Sequence, residues 1–134
     1  MNVKKAASVY AIFMGLCMIG MWVMFYLSGS IPELETKPVE IAMHLIAEFT
    51  TAALLILGGY GLLKDQPWGM NIYCISMGML LYTLMMSPGY FLQKGELSFG
   101  IMFGAFFITA VLLTYLLLKQ KNKQVQCIEE ELKK

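Results

Sequence analysis

A lone histidine and a glutamate four residues later, His44 and Glu48, stand inside the apolar stretch TKPVEIAMHLIAEFTTAALLILGGYGLL that runs from Thr36 to Leu63. Glu40 precedes His44 by the same interval, so on a helix the three side chains line one face. At about 1.5 Å of rise per residue, His44 lies about 7 Å and Glu48 about 13 Å below Val39, which brings the carboxyl close to the centre of a bilayer. An acidic group at that depth costs roughly 2.5–3.5 kcal/mol on insertion scales and is expected to face a bundle interior, paired, protonated or hydrated. An imidazole and a carboxyl one turn apart can share a proton and titrate as a unit. The pair is therefore expected to exchange protons or to hold the polar part of a ligand. The competing expectation is a hydrogen-bonded pair that only fixes the rotation of its helix.

Depth selects the possible partners. Trp22 and Tyr26 in the first apolar segment, Tyr82 and Thr83 in the third and Ser98 in the fourth fall in the same half of the membrane as the stripe, with Ser76 and Thr109 near the middle. Tyr82 is the phenol expected to reach it. The candidate set for ligand binding and proton exchange is thus His44, Glu48, Glu40, Tyr82, Tyr26 and Trp22. No residue is assigned as catalytic, and none as a metal ligand.

The elements that must position these residues follow from composition. Of 134 residues, 58% are hydrophobic, well above a soluble domain of this size. The apolar residues fall into four segments, about 8–28, 39–63, 68–86 and 97–118, each near the ~20 residues that a helix needs to cross the hydrocarbon core. No segment alternates as a barrel strand does, so the expected fold is an all-α integral membrane four-helix bundle with a polar tail at 119–134. The first segment follows Lys4 and Lys5 in the manner of a signal peptide, but its apolar core from Val9 to Leu27 is long and no small-residue cleavage site follows, so it is expected to be retained.

All ten basic residues are lysines. Lys4, Lys5, Lys64, Lys119, Lys121 and Lys123 fall on one side of a four-pass arrangement, and Lys37 and Lys94 on the other. Both termini are therefore expected to be cytoplasmic, in a multi-pass protein of the cell membrane. The net charge of +1 supplies no concentrated basic face, which excludes nucleic acid as a partner.

Local signals divide the chain further. Thr36 before Lys37-Pro38 is expected to cap the second helix. Gly58-Gly59-Tyr60-Gly61 marks close packing or a loosened turn before the short link at Lys64-Asp65-Gln66-Pro67. The third helix is expected to end near Ser87-Pro88-Gly89. Gly100 and Gly104 form a GxxxG spacing that permits close helix contact, within the bundle or in a homodimer. Val125, Ile128 and Leu132 recur at helical spacing in the tail, which is nevertheless expected to be solvated and partly disordered.

Cofactor chemistry finds little to build on. Cys17, Cys74 and Cys127 form no CxxC pair. Met14, Met18 and Met21 share one helix face, and Met70, Cys74 and Met77 another, as a Cu(I) path would require. Methionine is also adaptable packing material, and no extramembrane Met- or His-rich segment collects metal. One His and one Glu are too few for zinc. Haem would need a second axial ligand, from methionine or from the histidine of a second copy. No cofactor is expected, with haem and copper as the alternatives.

The runs Gly58-Gly59-Tyr-Gly61-Leu-Leu, Lys64-Asp-Gln-Pro67-Trp68-Gly69, Gly78-Met-Leu-Leu-Tyr82-Thr and Ser87-Pro-Gly-Tyr90 resemble those of small four-pass membrane proteins of bacteria and archaea. In size and hydropathy the chain is similar to the DoxX-type proteins. That resemblance implies the fold and no catalytic residue. Small multidrug transporters also carry a membrane glutamate, but in their first helix, whereas Glu48 lies in the second. Sterol-isomerase-like four-pass proteins place buried acids in a lipid-accessible pocket. These likenesses are of architecture.

The expected function is the binding of a small or lipophilic ligand in an outward-opening intramembrane pocket built around His44 and Glu48. The alternatives are a proton-coupled dimeric transporter, a non-catalytic accessory subunit of the membrane, and an enzyme acting on a lipid or quinone.

Overall fold

The computed structural model describes residues 2–29, 31, 33–93, 95 and 97–132. They form helices α1 (Val3–Leu27), α2 (Glu33–Thr36), α3 (Pro38–Leu63), α4 (Gly69–Gln93) and α5 (Leu97–Leu132), with no strand among the described residues. The four long helices have the length and apolarity to cross a membrane, and their outward faces carry large apolar side chains such as Phe13, Leu16, Ile46 and Ile108. In water such faces would be a liability; in lipid they are the expected surface. The chain is an all-α, multi-pass membrane protein.

The helix ends explain themselves locally. Asn2 caps α1, its side chain accepting the Lys4 N–H at 3.2 Å. Gly29 leaves α1 with φ of 63°, a left-handed conformation that glycine adopts without a Cβ clash. Pro38 opens α3, where its missing N–H has no intrahelical partner to lose. The expected cap at Thr36 is not the one formed: Thr36 closes α2, and the residue before Pro38, Lys37, caps α3 without a side-chain hydrogen bond.

Two other boundaries differ from expectation. α4 passes through Pro88 to Gln93. Proline removes its own N–H and frees one carbonyl a turn earlier, and so close to the helix end the rest of the ladder still carries the chain on. α5 continues as helix through the tail to Leu132 rather than fraying at Leu118. Nucleation is the costly step of helix formation, and the membrane part of α5 supplies the nucleus. The lysine, glutamine and glutamate of the tail then propagate it at little cost.

The long helices run up and down and pack in chain order: α1 on α3, α3 on α4, α4 on α5, with α1 and α5 closing the ring. An ion pair between Lys4 and Asp65 ties the start of α1 to the α3–α4 link. The core between the helices holds Ala7, Ala11, Leu55, Tyr73, Leu80 and Ala110, joined by Met14, Met18 and Met77 as packing side chains.

Glycine lets α3 approach both neighbours. A Cβ on Gly59 would sit 2.7 Å from the Ser8 carbonyl oxygen of α1, and one on Gly58 would sit 2.8 Å from the Tyr73 backbone nitrogen of α4. The Gly58-Gly59 pair thus packs closely instead of loosening. Gly104, by contrast, has open space around it, so the expected GxxxG contact is not made within the bundle at that residue. Side chains fasten α5 instead: the Tyr10 hydroxyl donates to the Phe106 carbonyl at 2.7 Å, and the Tyr73 and Thr114 hydroxyls lie 3.4 Å apart.

Candidate functional site

α3 lies between α1 and α4, and it turns Glu48 toward both. The Glu48 side chain is only 6% exposed, whereas that of His44, one turn nearer the α2 end, is 52% exposed. His44 Nε2 stands 3.9 Å from Glu48 Oε1, beyond hydrogen-bond length. The two are therefore an electrostatic couple when the imidazole is protonated and open to a third group when it is not.

Neighbouring helices complete the surroundings of the carboxyl. From α1, the Trp22 ring meets the His44 ring edge-on, with centroids 5.6 Å apart at 71°. The Trp22 indole N–H and the Thr83 hydroxyl of α4 both face the Glu48 carboxyl. Trp22 Nε1 is buried, yet it completes no hydrogen bond among the described residues. The Trp22 N–H is thus a buried donor turned toward the carboxyl without completing a hydrogen bond, which departs from the satisfied network that a purely structural buried polar group normally makes.

A groove of about 460 Å³ opens beside this carboxyl between α3 and α4. His44, Glu48 and Thr51 line it from α3, and Ile75, Gly78 and Tyr82 are among the α4 residues opposite. Thr51 turns its own hydroxyl back to the Ala47 carbonyl at 2.8 Å, and His44, Glu48, Tyr82, Thr83 and Ser87 are the other polar residues of the lining. Gly78 keeps the groove wide, since a side chain there would meet nothing within 4 Å. No lysine lines it. A polar end at the carboxyl and walls of isoleucine and methionine suit an amphiphile.

The six sequence candidates separate. His44, Glu48 and Trp22 come together, and Tyr82, an exposed residue, lines the same groove. Tyr26 is exposed near the end of α1 and does not line the groove. Glu40 stays outside as well, held 3.0 Å from Lys37 on an exposed surface. Ser76 and Thr109 each donate to a carbonyl of their own helix, those of Tyr73 and Ala105. Thr51, Ile75, Gly78 and Met79 were not foreseen as groove residues. Thr51 carried a usable signal, lying three residues beyond Glu48 and seven beyond His44 on the same face.

Residues 1–129 match the family model of a domain of unknown function, DUF8058. No curated protein and no solved structure matches the chain.

Proposed function

The chain belongs to the DUF8058 family, and from that premise we propose that it binds a lipophilic ligand within the membrane, in the α3–α4 groove, with the polar end of the ligand held by Glu48 and His44. The observation that carries this reading is the buried carboxyl, beside a Trp22 indole N–H that completes no hydrogen bond, at the wall of a groove with isoleucine and methionine walls. A charged or polar group at membrane depth is a functional candidate by its cost alone. A buried carboxyl beside an open groove, with an unpartnered indole N–H next to it, adds a reason for a guest.

The ligand enters from the lipid side between α3 and α4, and from the outer end of the groove near Met86 and Ser87. It carries a hydrogen-bond donor or a cationic head, because the site offers a carboxyl and no fixed cation. We place the protein in the cell membrane with both termini cytoplasmic, on the excess of lysines at the end that carries them. Binding is favoured over transport because Leu55, Tyr73, Met77 and Leu80 are fully buried in the interior, where a transporter needs a path.

The test is native mass spectrometry of the protein released from mild detergent, with dodecylamine and dodecanol as probes. Wild-type protein should retain the amine more strongly than the alcohol, and Glu48→Gln should lose that preference while remaining folded. Equal retention of both probes by wild type and variant would sink the reading. So would a Glu48→Leu protein that is more stable and keeps the amine.

A further inference from the structure

We propose that the end of the bundle carrying both termini holds a second site, which binds a phosphate group. A cavity of about 360 Å³ lies there between the start of α1, the α3–α4 link and α5, far along the bundle from the Glu48 groove. It owes nothing to that groove.

The lining has the chemistry of an anion cradle. Lys4 and Lys121 enter it from α1 and α5, and Gln66, Gln120 and Gln124 add side-chain amides. Asp65 is the only acidic residue in the lining, and it is already paired with Lys4. Lys121 makes no ion pair among the described residues, and it stands at the exposed rim of the cavity. The continuation of α5 past the membrane creates this arrangement, since it carries Gln120, Lys121 and Gln124 over the end of the bundle. Had the tail frayed at Leu118, three of the donors would be lost.

Beneath the polar rim, Leu62, Met70 and Leu117 form an apolar floor. A cationic rim over an apolar floor at a membrane boundary matches the headgroup region of an anionic phospholipid, and basic pockets between helices are known recognition sites for such headgroups. A soluble phosphate ester presents the same group. The phosphate is the shared ligand chemistry, and the source is for experiment to decide.

The full-length protein is placed in nanodiscs of phosphatidylcholine alone or with phosphatidylglycerol, beside Lys121→Gln and Lys123→Gln variants. Lys123 is exposed on the same helix but does not line the cavity. Co-purified phosphatidylglycerol is counted by native mass spectrometry, and inorganic phosphate binding is measured by equilibrium dialysis in the phosphatidylcholine discs. Lys121→Gln should weaken binding about five-fold, the worth of one lysine near a phosphate, and Lys123→Gln should not. Loss confined to phosphatidylglycerol assigns the site to a lipid headgroup; loss of saturable inorganic phosphate assigns it to a soluble ester. No saturable binding of either, or equal loss in both variants, overturns the proposal. Lys4→Gln is a second variant expected to weaken binding, and circular dichroism of each protein confirms that helix content is unchanged.

Discussion

Replacing Gly58 by alanine sets two effects of opposite sign against each other. In a helix interior alanine is favoured over glycine by about 1 kcal/mol, which would stabilise α3. The new methyl group, however, would lie 2.8 Å from the Tyr73 nitrogen and 2.9 Å from its Cα. Carbon contacts settle at about 3.5–4.0 Å, so α3 and α4 must part by roughly 0.7 Å. The obstacle is helix backbone, which cannot turn aside as a side-chain tip can, and overpacking of this kind typically costs about 1–3 kcal/mol. The net expectation is a loss of about 0–2 kcal/mol, once the ~1 kcal/mol propensity gain is subtracted. Gly104→Ala is the internal control, because its Cβ would meet nothing within 4 Å; it should be neutral or stabilising by up to about 1 kcal/mol. Reversible unfolding in mixed micelles, followed by circular dichroism, gives both values. A Gly58→Ala protein as stable as Gly104→Ala would refute the claim that this glycine sets the α3–α4 separation.

Orientation is tested by thiol labelling of intact cells: a cysteine at Glu35 should react with an impermeant reagent added outside, and native Cys127 should not. Shortening the chain after Gln124 removes residues exposed throughout, from Val125 to Leu132, and should change unfolding by no more than about 0.5 kcal/mol in the same micelles. Thr83→Val removes the α4 hydroxyl that faces Glu48; it should weaken dodecylamine retention about ten-fold or more, the worth of one hydrogen bond to a charged group, without changing helix content by circular dichroism. Gly104→Ile places bulk on an exposed face of α5, and if that face joins two copies it should convert a dimer to a monomer by light scattering in detergent.

Four helices were legible because length and apolarity alone identify a membrane span. The ends were less so. Pro88 reads as a stop by its local chemistry, but near the end of α4 one lost hydrogen bond does not outweigh the remaining ladder. The tail reads as polar and therefore loose, yet a helix already nucleated in the membrane extends through it. The same contrast runs through the site. His44 and Glu48 were legible because their relation is local, one helical turn on one face. Trp22 could be placed at the right height but not at the right rotation, since nothing in the sequence states which way α1 turns. Tyr26 and Glu40 passed the same test of height and proved to point elsewhere.

Every side chain assigned to the intramembrane site belongs to α1, α3 or α4, and α5 supplies none to the groove. Chains are made from the N-terminus at about 5–20 residues per second, and early elements can pack before later ones exist. The glycine contacts that set α3 against α1 and α4 are likewise complete before Leu97. During biosynthesis the carboxyl, its imidazole and the groove beside them can therefore assemble while the last span is still in the ribosome. A nascent chain halted before α5 should already be competent to take up the amine probe.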